Sequence, residues 1–333
     1  MNLKITVAGK SDKGLIRTGN EDSYRVDLEN NLFLVCDGMG GHQAGEVASK
    51  DACEIITYCF LESAEEMSHD PSLQIPAQFP PRGDLLIKSI RLANRSIYIR
   101  SRSRSEYTGM GTTVVSAVLE DDLINIAHVG DSRIYRMLDT GLIRLTTDHS
   151  WISELKQSGQ FSDAEAEKMV GKNVITRALG VNERVEIDYR ADRVKAGEIY
   201  ILCTDGLCGY AEDSEIFSAA KSCNKDVEKI AETLVLLAND HGGQDNVTVI
   251  AIRIDELDGQ SALAEVKPVT ISVEDENTLL RENQILDSMT KQVERTQDVV
   301  LQATKKRKSS PLFLIFIVFV VIAIFAIYFV GYR

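Results

Sequence analysis

The stretch Leu32-Phe33-Leu34-Val35-Cys36-Asp37-Gly38-Met39-Gly40-Gly41-His42 decides how this chain folds. Its first five residues are short, apolar and bounded by turn-formers, so they read as a buried strand, and the glycines after Asp37 end it in a turn. A carboxylate at that junction is free to bind a cation. The Gly38 carbonyl beside it is equally free, because glycine lets the backbone approach a ligand. An acidic residue where an apolar run meets a glycine-rich or polar turn recurs at Asn20-Glu21-Asp22, Gly130-Asp131-Ser132-Arg133, Thr204-Asp205-Gly206 and Gln244-Asp245-Asn246. One such carboxylate is an ordinary turn residue, whereas five at separate strand ends point to one pocket built on loops of a rigid scaffold. Carboxylates crowded together repel, so the pocket needs cations.

Working outward, Leu123 to Val129, Ser132 to Met137, Glu198 to Cys203 and Val247 to Ile254 are further strands, and Asn125 to Met137 reads as two strands joined by a tight Gly130-Asp131 turn. Met1 to Lys10 reads as an edge strand. Glu46 to Leu61 places Ala48, Ala52, Ile55, Ile56, Cys59 and Phe60 on one helical face, Asp84 reads as the cap of a second helix, and Asp226 to Asn239 forms a third. Helices between groups of mainly antiparallel strands predict sheets packed face to face and covered by helices, a layered α+β architecture. His69 to Asp84 holds four of the six prolines and reads as an exposed loop. Leu145 to Gly180 is polar, carries the only tryptophan, Trp151, and has a capping box at Ser162 to Glu165, which predicts a helical flap beside the pocket.

With 333 residues the chain is long enough for one large core plus appendages. Its formal charge of -13 argues against nucleic acid as the main partner. The six cysteines, Cys36, Cys53, Cys59, Cys203, Cys208 and Cys223, lie inside apolar runs and read as reduced, buried small hydrophobes. The N-terminus lacks a secretory leader. Leu312 to Val330 is an unbroken apolar stretch of the length a membrane-spanning helix needs. Lys305, Lys306, Arg307 and Lys308 precede it and only Arg333 follows, so the large N-terminal part is expected on the cytoplasmic face. The expected organisation is a catalytic domain over 1–255, a polar linker or helical stalk over 256–310 and a transmembrane helix over 311–330. For the stalk, a solvated helix, weak dimerisation through Leu279, Leu286, Val293 and Val300, and disorder all stay open.

Carboxylate and carbonyl oxygens without nitrogen or sulfur partners select Mg²⁺ or Mn²⁺ over Zn²⁺. Two such ions about 4 Å apart can share a water, lower its pKa and aim it in line at phosphorus, which describes a hydrolase with no covalent nucleophile. Arg17, five residues before Asp22, can grip phosphate oxygens in bidentate fashion. Taken alone it reads rather as a surface salt-bridge residue.

The ordered set Arg17…Glu21-Asp22, Asp37-Gly38-Met39-Gly40-Gly41-His42, Gly109-Met110-Gly111-Thr112-Thr113, Gly130-Asp131-Ser132-Arg133, Thr204-Asp205-Gly206-Leu207 and Gly243-Gln244-Asp245-Asn246 resembles the metal-dependent protein phosphatase 2C family, bacterial type, over about residues 1 to 255. The resemblance implies a four-layer α-β-β-α sandwich, two core Mn²⁺ or Mg²⁺ ions with a third at a weaker site, and hydrolysis of phosphoserine and phosphothreonine in proteins. Carried over by position, it implies Asp37 bridging the metals, Asp205 and Asp245 on one ion and the Gly38 carbonyl on the other. Glu21 and Asp22 would act through metal-bound waters, Asp131 with Asp205 would hold the third ion, and Arg17 would bind the phosphate. The eukaryotic motif has histidine where this chain has Met39, and His42 is the substitute general acid, with a structural hydrogen-bonding role as the alternative. His128, His149 and His241 read as strand or turn residues. The expected partners are phosphorylated proteins, a serine/threonine kinase among them, and a membrane reached through the C-terminal helix. The competing expectation is a catalytically weak phosphoprotein-binding or scaffolding module of a membrane signalling complex.

Overall fold

The computed structural model describes residues 2–41, 44–61, 79–157, 174–272 and 281–289. Among these, two antiparallel sheets pack face to face. The first runs, in spatial order, β1 (Asn2–Asp12), β11 (Val247–Asp258), β10 (Ile199–Cys203), β7 (Arg133–Leu138) and β8 (Gly141–Arg144). The second runs β12 (Val266–Ile271), β9 (Ile187–Arg193), β6 (Leu123–Val129), β5 (Val114–Glu120), β3 (Leu32–Met39) and β2 (Asp22–Asp27), with β4 (Gly111–Thr112) pairing to the end of β3.

Side-chain alternation explains why both faces of each sheet are apolar. In β3, Phe33 and Val35 join Val115 and Ala117 of β5, Ile124 and Ile126 of β6, Tyr200 and Leu202 of β10, and Ile250, Ile252 and Ile254 of β11 in the core between the sheets. Each large side chain buried there contributes roughly 1.5–3 kcal/mol. Leu32, Leu34 and Cys36 are buried on the opposite face, where Cys36 Sγ lies 3.6 Å from Cys53 Sγ on α1 (Ala44–Leu61). Helices α1 and α2 (Pro81–Ser103) cover that outer face. On the other side, α5 (Asp213–Ser222) and α6 (Val227–Asp240) bury Ile216, Ile230, Leu234 and Val235 against Ile199, Ile201, Val249 and Ala251 of the first sheet. Two short helices, α3 (Trp151–Gln157) and α4 (Asp205–Cys208), are also described, and α4 follows β10 directly. The result is the expected α-β-β-α layering.

Several expectations need correction. Strands β6 and β7 do not pair, because the Gly130–Ser132 turn carries the chain from one sheet to the other. Asp84 does not cap α2: Pro80 occupies that position, Pro81 starts the helix with a pre-set φ, and Asp84 sits in the first turn, paired with Lys88 at 2.7 Å. Residues 81–84, read as loop, are therefore helical. Past residue 255, β11 continues to Asp258, β12 joins the second sheet beside β9, and the compact unit runs to Glu282. Residues 281–289 are helical. The third expected helix is α6, and Asp226, read as its first residue, is its cap, accepting from Lys229 N at 3.2 Å. The six cysteines are buried and free. Among the described residues no helix is long and apolar enough to cross a membrane. The Leu312–Val330 stretch, the proline-rich 62–78 and the capping box at Ser162 lie outside them.

Candidate active site

The alternation that builds the inter-sheet core also builds the site. Continuing each inward-facing row by two residues towards one end of the sandwich replaces apolar side chains with polar ones. Phe33 and Val35 lead to Asp37, Tyr200 and Leu202 to Thr204, and Ile252 and Ile250 to Thr248 and Asn246. Val26 and Tyr24 lead to Asp22, which stands opposite Asp37 in the β2–β3 register. The hydrophobic core is thus capped at one end by carboxylates and the hydroxyls that hold them.

Asp22 is buried, at 8 % exposure, and its Oδ2 accepts from Thr248 Oγ1 at 2.7 Å and Thr204 Oγ1 at 3.0 Å. Among the described residues its Oδ1 has no hydrogen-bond partner. Asp37 is held through its backbone: its N–H donates to Thr113 Oγ1 at 3.0 Å, and its carbonyl accepts from Thr113 N and Thr112 Oγ1, each at 2.8 Å. That is the structural use of the Gly109–Thr113 motif. Gly38 N donates to Glu21 O at 3.1 Å, and a Cβ on Gly38 would stand 2.2 Å from Gly45 O, so only glycine lets β2, β3 and the start of α1 close together. Asp205 opens α4 directly after β10, and Asp245 precedes β11. Asp131 sits in the turn between the sheets.

Burial and mutual repulsion disfavour charge on this cluster. Burial, with Asp22 and Asp205 adding to it, pushes the Asp37 carboxyl well above the carboxylate range. Burial also raises Asp205, against the hydrogen bond it shares with Asp37. Asp22 is pushed up to about 7 by burial, despite the two threonine hydroxyls that favour its charge, and Asp131 to about 7 by burial and by Asp205. Glu21 is raised by burial and partly offset by Arg17. Arg17 is half exposed at the rim and donates to Asp245 Oδ2 at 2.7 Å.

Glu21, Asp22, Asp37, Gly38, Asp205 and Asp245 therefore meet at one end of the sandwich, with Asp131 and Arg17 beside them. His42 lies outside the described residues. His241 ends α6, 3.3 Å from Glu215. The sequence reading missed three residues that organise the site: Thr204, Thr248 and Asn246. Asn246 Oδ1 accepts from Glu21 N at 2.8 Å while its Nδ2 donates to Lys13 O and Gly19 O, both at 2.9 Å, clamping the loop that carries Arg17. The signal was the two-residue period that puts Asn246 and Thr248 in line with Ile250 and Ile252.

A divalent cation fits this donor set. Among the described residues Asp22 Oδ1, Asp131 Oδ1 and Asp205 Oδ1 are buried oxygens without a hydrogen-bond partner, a costly arrangement that a cation would relieve. The donors are all oxygen, which suits Mg²⁺ or Mn²⁺, and Cys36 turns away towards Cys53.

Comparison with known proteins agrees with this geometry. A family model described as protein phosphatase 2C matches residues 17–235. The chain is 35% identical over 250 residues to the serine/threonine phosphatase stp of Listeria monocytogenes, covering 74% of this chain and 94% of that protein. Among solved structures, Stp1 of Staphylococcus aureus superposes with a TM-score of 0.66 at 31% identity, covering 76% of this chain and 96% of that one. The catalytic domain of the phosphatase PstP, solved in complex with two manganese ions, gives a TM-score of 0.65 at 30% identity, covering 77% and 100%.

Proposed function

This chain belongs to the protein phosphatase 2C family and is a protein serine/threonine phosphatase, and from that premise we propose that its acidic cap holds Mn²⁺ or Mg²⁺ to hydrolyse phosphoserine and phosphothreonine in proteins. The observation that carries the reading is the set of three unpartnered buried oxygens on Asp22, Asp131 and Asp205. Asp37, which lies beside Asp22, Asp205 and Asp131, would hold these ions together with Asp205, Asp245 and the Gly38 carbonyl, Asp131 would hold a weaker one with Asp205, and Glu21 and Asp22 would complete the shell. When bound, such ions supply an activated water near neutral pH and offset phosphoryl charge.

The chain's own residues do the rest. Arg17 exchanges Asp245 for the substrate's phosphate, which it meets at the open rim, and so orients the ester. Thr204 and Thr248 keep Asp22 aimed, and Asn246 keeps the Arg17 loop on β11. His42 donates a proton to the leaving serine or threonine oxygen. The apolar stretch Leu312 to Val330, preceded by Lys305 to Lys308, tethers the catalytic unit at the cytoplasmic face of a membrane, where phosphorylated membrane proteins, kinases among them, are its substrates.

The test is phosphate release from a phosphothreonine peptide and from p-nitrophenyl phosphate. Both should depend on Mn²⁺, and absence of turnover would favour the scaffolding alternative. His42→Ala should slow the peptide more than the aryl phosphate, whose leaving group needs no proton. Equal slowing removes His42 as the acid. Deleting residues 311–333 should move the protein to the soluble fraction, and a truncated chain that stays on the membrane would refute the tether.

A further inference from the structure

His128, His149 and Asp188 gather behind the Gly130–Asp131 turn, with one ligand-type atom from each within 4.8 Å of the others. Such a trio invites a metal reading, and the hydrogen bonds of His149 count against it, since they occupy both of its ring nitrogens. His149 Nδ1 accepts from Gly130 N at 3.1 Å, so this nitrogen carries the lone pair and Nε2 carries the proton. That Nε2 faces Asp188 Oδ2 at 3.2 Å, which leaves no lone pair turned towards a cation. Arg177 already stands 3.2 Å from Asp188 Oδ1 and 3.4 Å from His149 Nε2. His128, stacked on His149 with ring centroids 4.8 Å apart, directs Nε2 at Thr147 O at 2.8 Å.

The trio instead ends on Gly130. His149 takes both polar backbone groups of that residue: its ring Nδ1 accepts the Gly130 N–H, and its main-chain N–H donates to Gly130 O at 2.9 Å. Gly130 has φ +109°, and a Cβ there would stand 2.6 Å from Thr113 Cγ2, so the turn has no room to shift towards β5. Asp188 is itself fixed by Thr270 Oγ1 at 2.8 Å. Burial works against its charge, but bonds to His149 and Thr270 hold it down at about 2, so it stays an anion that keeps the His149 proton on Nε2.

We propose that His149 is a positioning residue for Asp131: locked in one tautomer by Asp188, its ring clamps Gly130 and so sets the Asp131 carboxylate for the third, weaker cation. The claim rests on the proposed role of Asp131 as a cation ligand. Supporting contacts of this kind around metal sites are commonly worth about 10–100-fold in affinity.

The test is Mn²⁺ titration of the full chain in detergent by calorimetry, without substrate. The wild type should show a weaker class of site besides the tighter ones, and Asp131→Ala should remove it. His149→Ala should weaken that class about 10–100-fold while leaving the tighter sites within about 3-fold. His149→Asn, whose Oδ1 can accept from Gly130 N, should recover most of the loss. Should His149→Ala not fold, Asp188→Asn carries the same prediction, and ¹⁵N NMR of the wild type should find His149 Nδ1 unprotonated. An unchanged weak class in His149→Ala, an asparagine variant as poor as alanine, or a protonated Nδ1 would each overturn the proposal. Zn²⁺ binding lost in both His149→Ala and Asp188→Asn would make the trio a metal site instead. If Asp131→Ala keeps every class, the ligand reading of Asp131 fails, and the positioning role falls with it.

Discussion

Raising the pH of the metal-free protein from about 5.5 to about 8 should destabilise it, the reverse of what salt-bridged carboxylates produce. Asp22 is the clearest source. It is buried, two threonines serve one oxygen and nothing serves the other, and burial lifts its carboxyl from 3.8 to about 7. Because the folded value exceeds the unfolded one, the stability this group confers is complete below 3.8 and is lost as pH rises through about 7. The difference corresponds to about 4 kcal/mol, of which about 2 kcal/mol falls between pH 5.5 and 8. For a domain of this size that is a fall in Tm of about 4–8 °C. Asp131 acts in the same direction, and since both carboxylates face Asp205 the two contributions should sum to less than twice one. The assay is thermal unfolding in EDTA across this pH range, repeated with Mn²⁺ and with Asp22→Asn. Mn²⁺ should flatten the slope by pairing with the ionised carboxylates. Asparagine at 22 should reduce the slope and make the metal-free protein more stable at about pH 8, while weakening stabilisation by Mn²⁺. Stability that is flat or rises from pH 5.5 to 8 in EDTA would refute the reasoning.

Asn246→Ala removes three hydrogen bonds at roughly 1 kcal/mol each, so unfolding in urea should report a loss of about 3 kcal/mol. Gly38→Ala places a methyl group 2.2 Å from Gly45 O and should cost about 3 kcal/mol or more, read as a fall in Tm with loss of Mn²⁺-dependent turnover. Arg17→Ala breaks a pair whose arginine is half exposed, so stability should change by less than about 1 kcal/mol. Its kcat/KM on a phosphothreonine peptide should fall about 10–100-fold, as the loss of a charged hydrogen bond to phosphate predicts.

Much of the site could be read from the chain because strand ends announce themselves. Asp37, Asp205 and Asp245 each stand at a change from apolar residues to glycine or polar ones, and the structure brings all three to one end of the sandwich. What was not legible depended on pairing at a distance. A Gly130-Asp131 turn looks the same whether it closes a hairpin or crosses between sheets, and only the partners of β6 and β7 tell them apart. Strand β12 escaped because it lies at a sheet edge, exposed along most of its length and carrying Lys267 and Pro268, so it shows little alternation. Thr204 and Thr248 are ordinary strand threonines until Asp22, about 180 and 226 residues away, comes between them. His149 escaped for the same reason, since its partners Gly130 and Asp188 lie on separate strand ends.

If this acidic cap, rather than some other part of the chain, binds the catalytic cations, one substitution should remove both binding and turnover. The measurement is Mn²⁺ titration of wild type and Asp37→Asn, followed by phosphate release from a phosphothreonine peptide on the same samples. Asp37→Asn should keep the fold by circular dichroism, lose the tight Mn²⁺ sites and show no turnover above background. A folded Asp37→Asn variant that binds Mn²⁺ and releases phosphate like the wild type would contradict it.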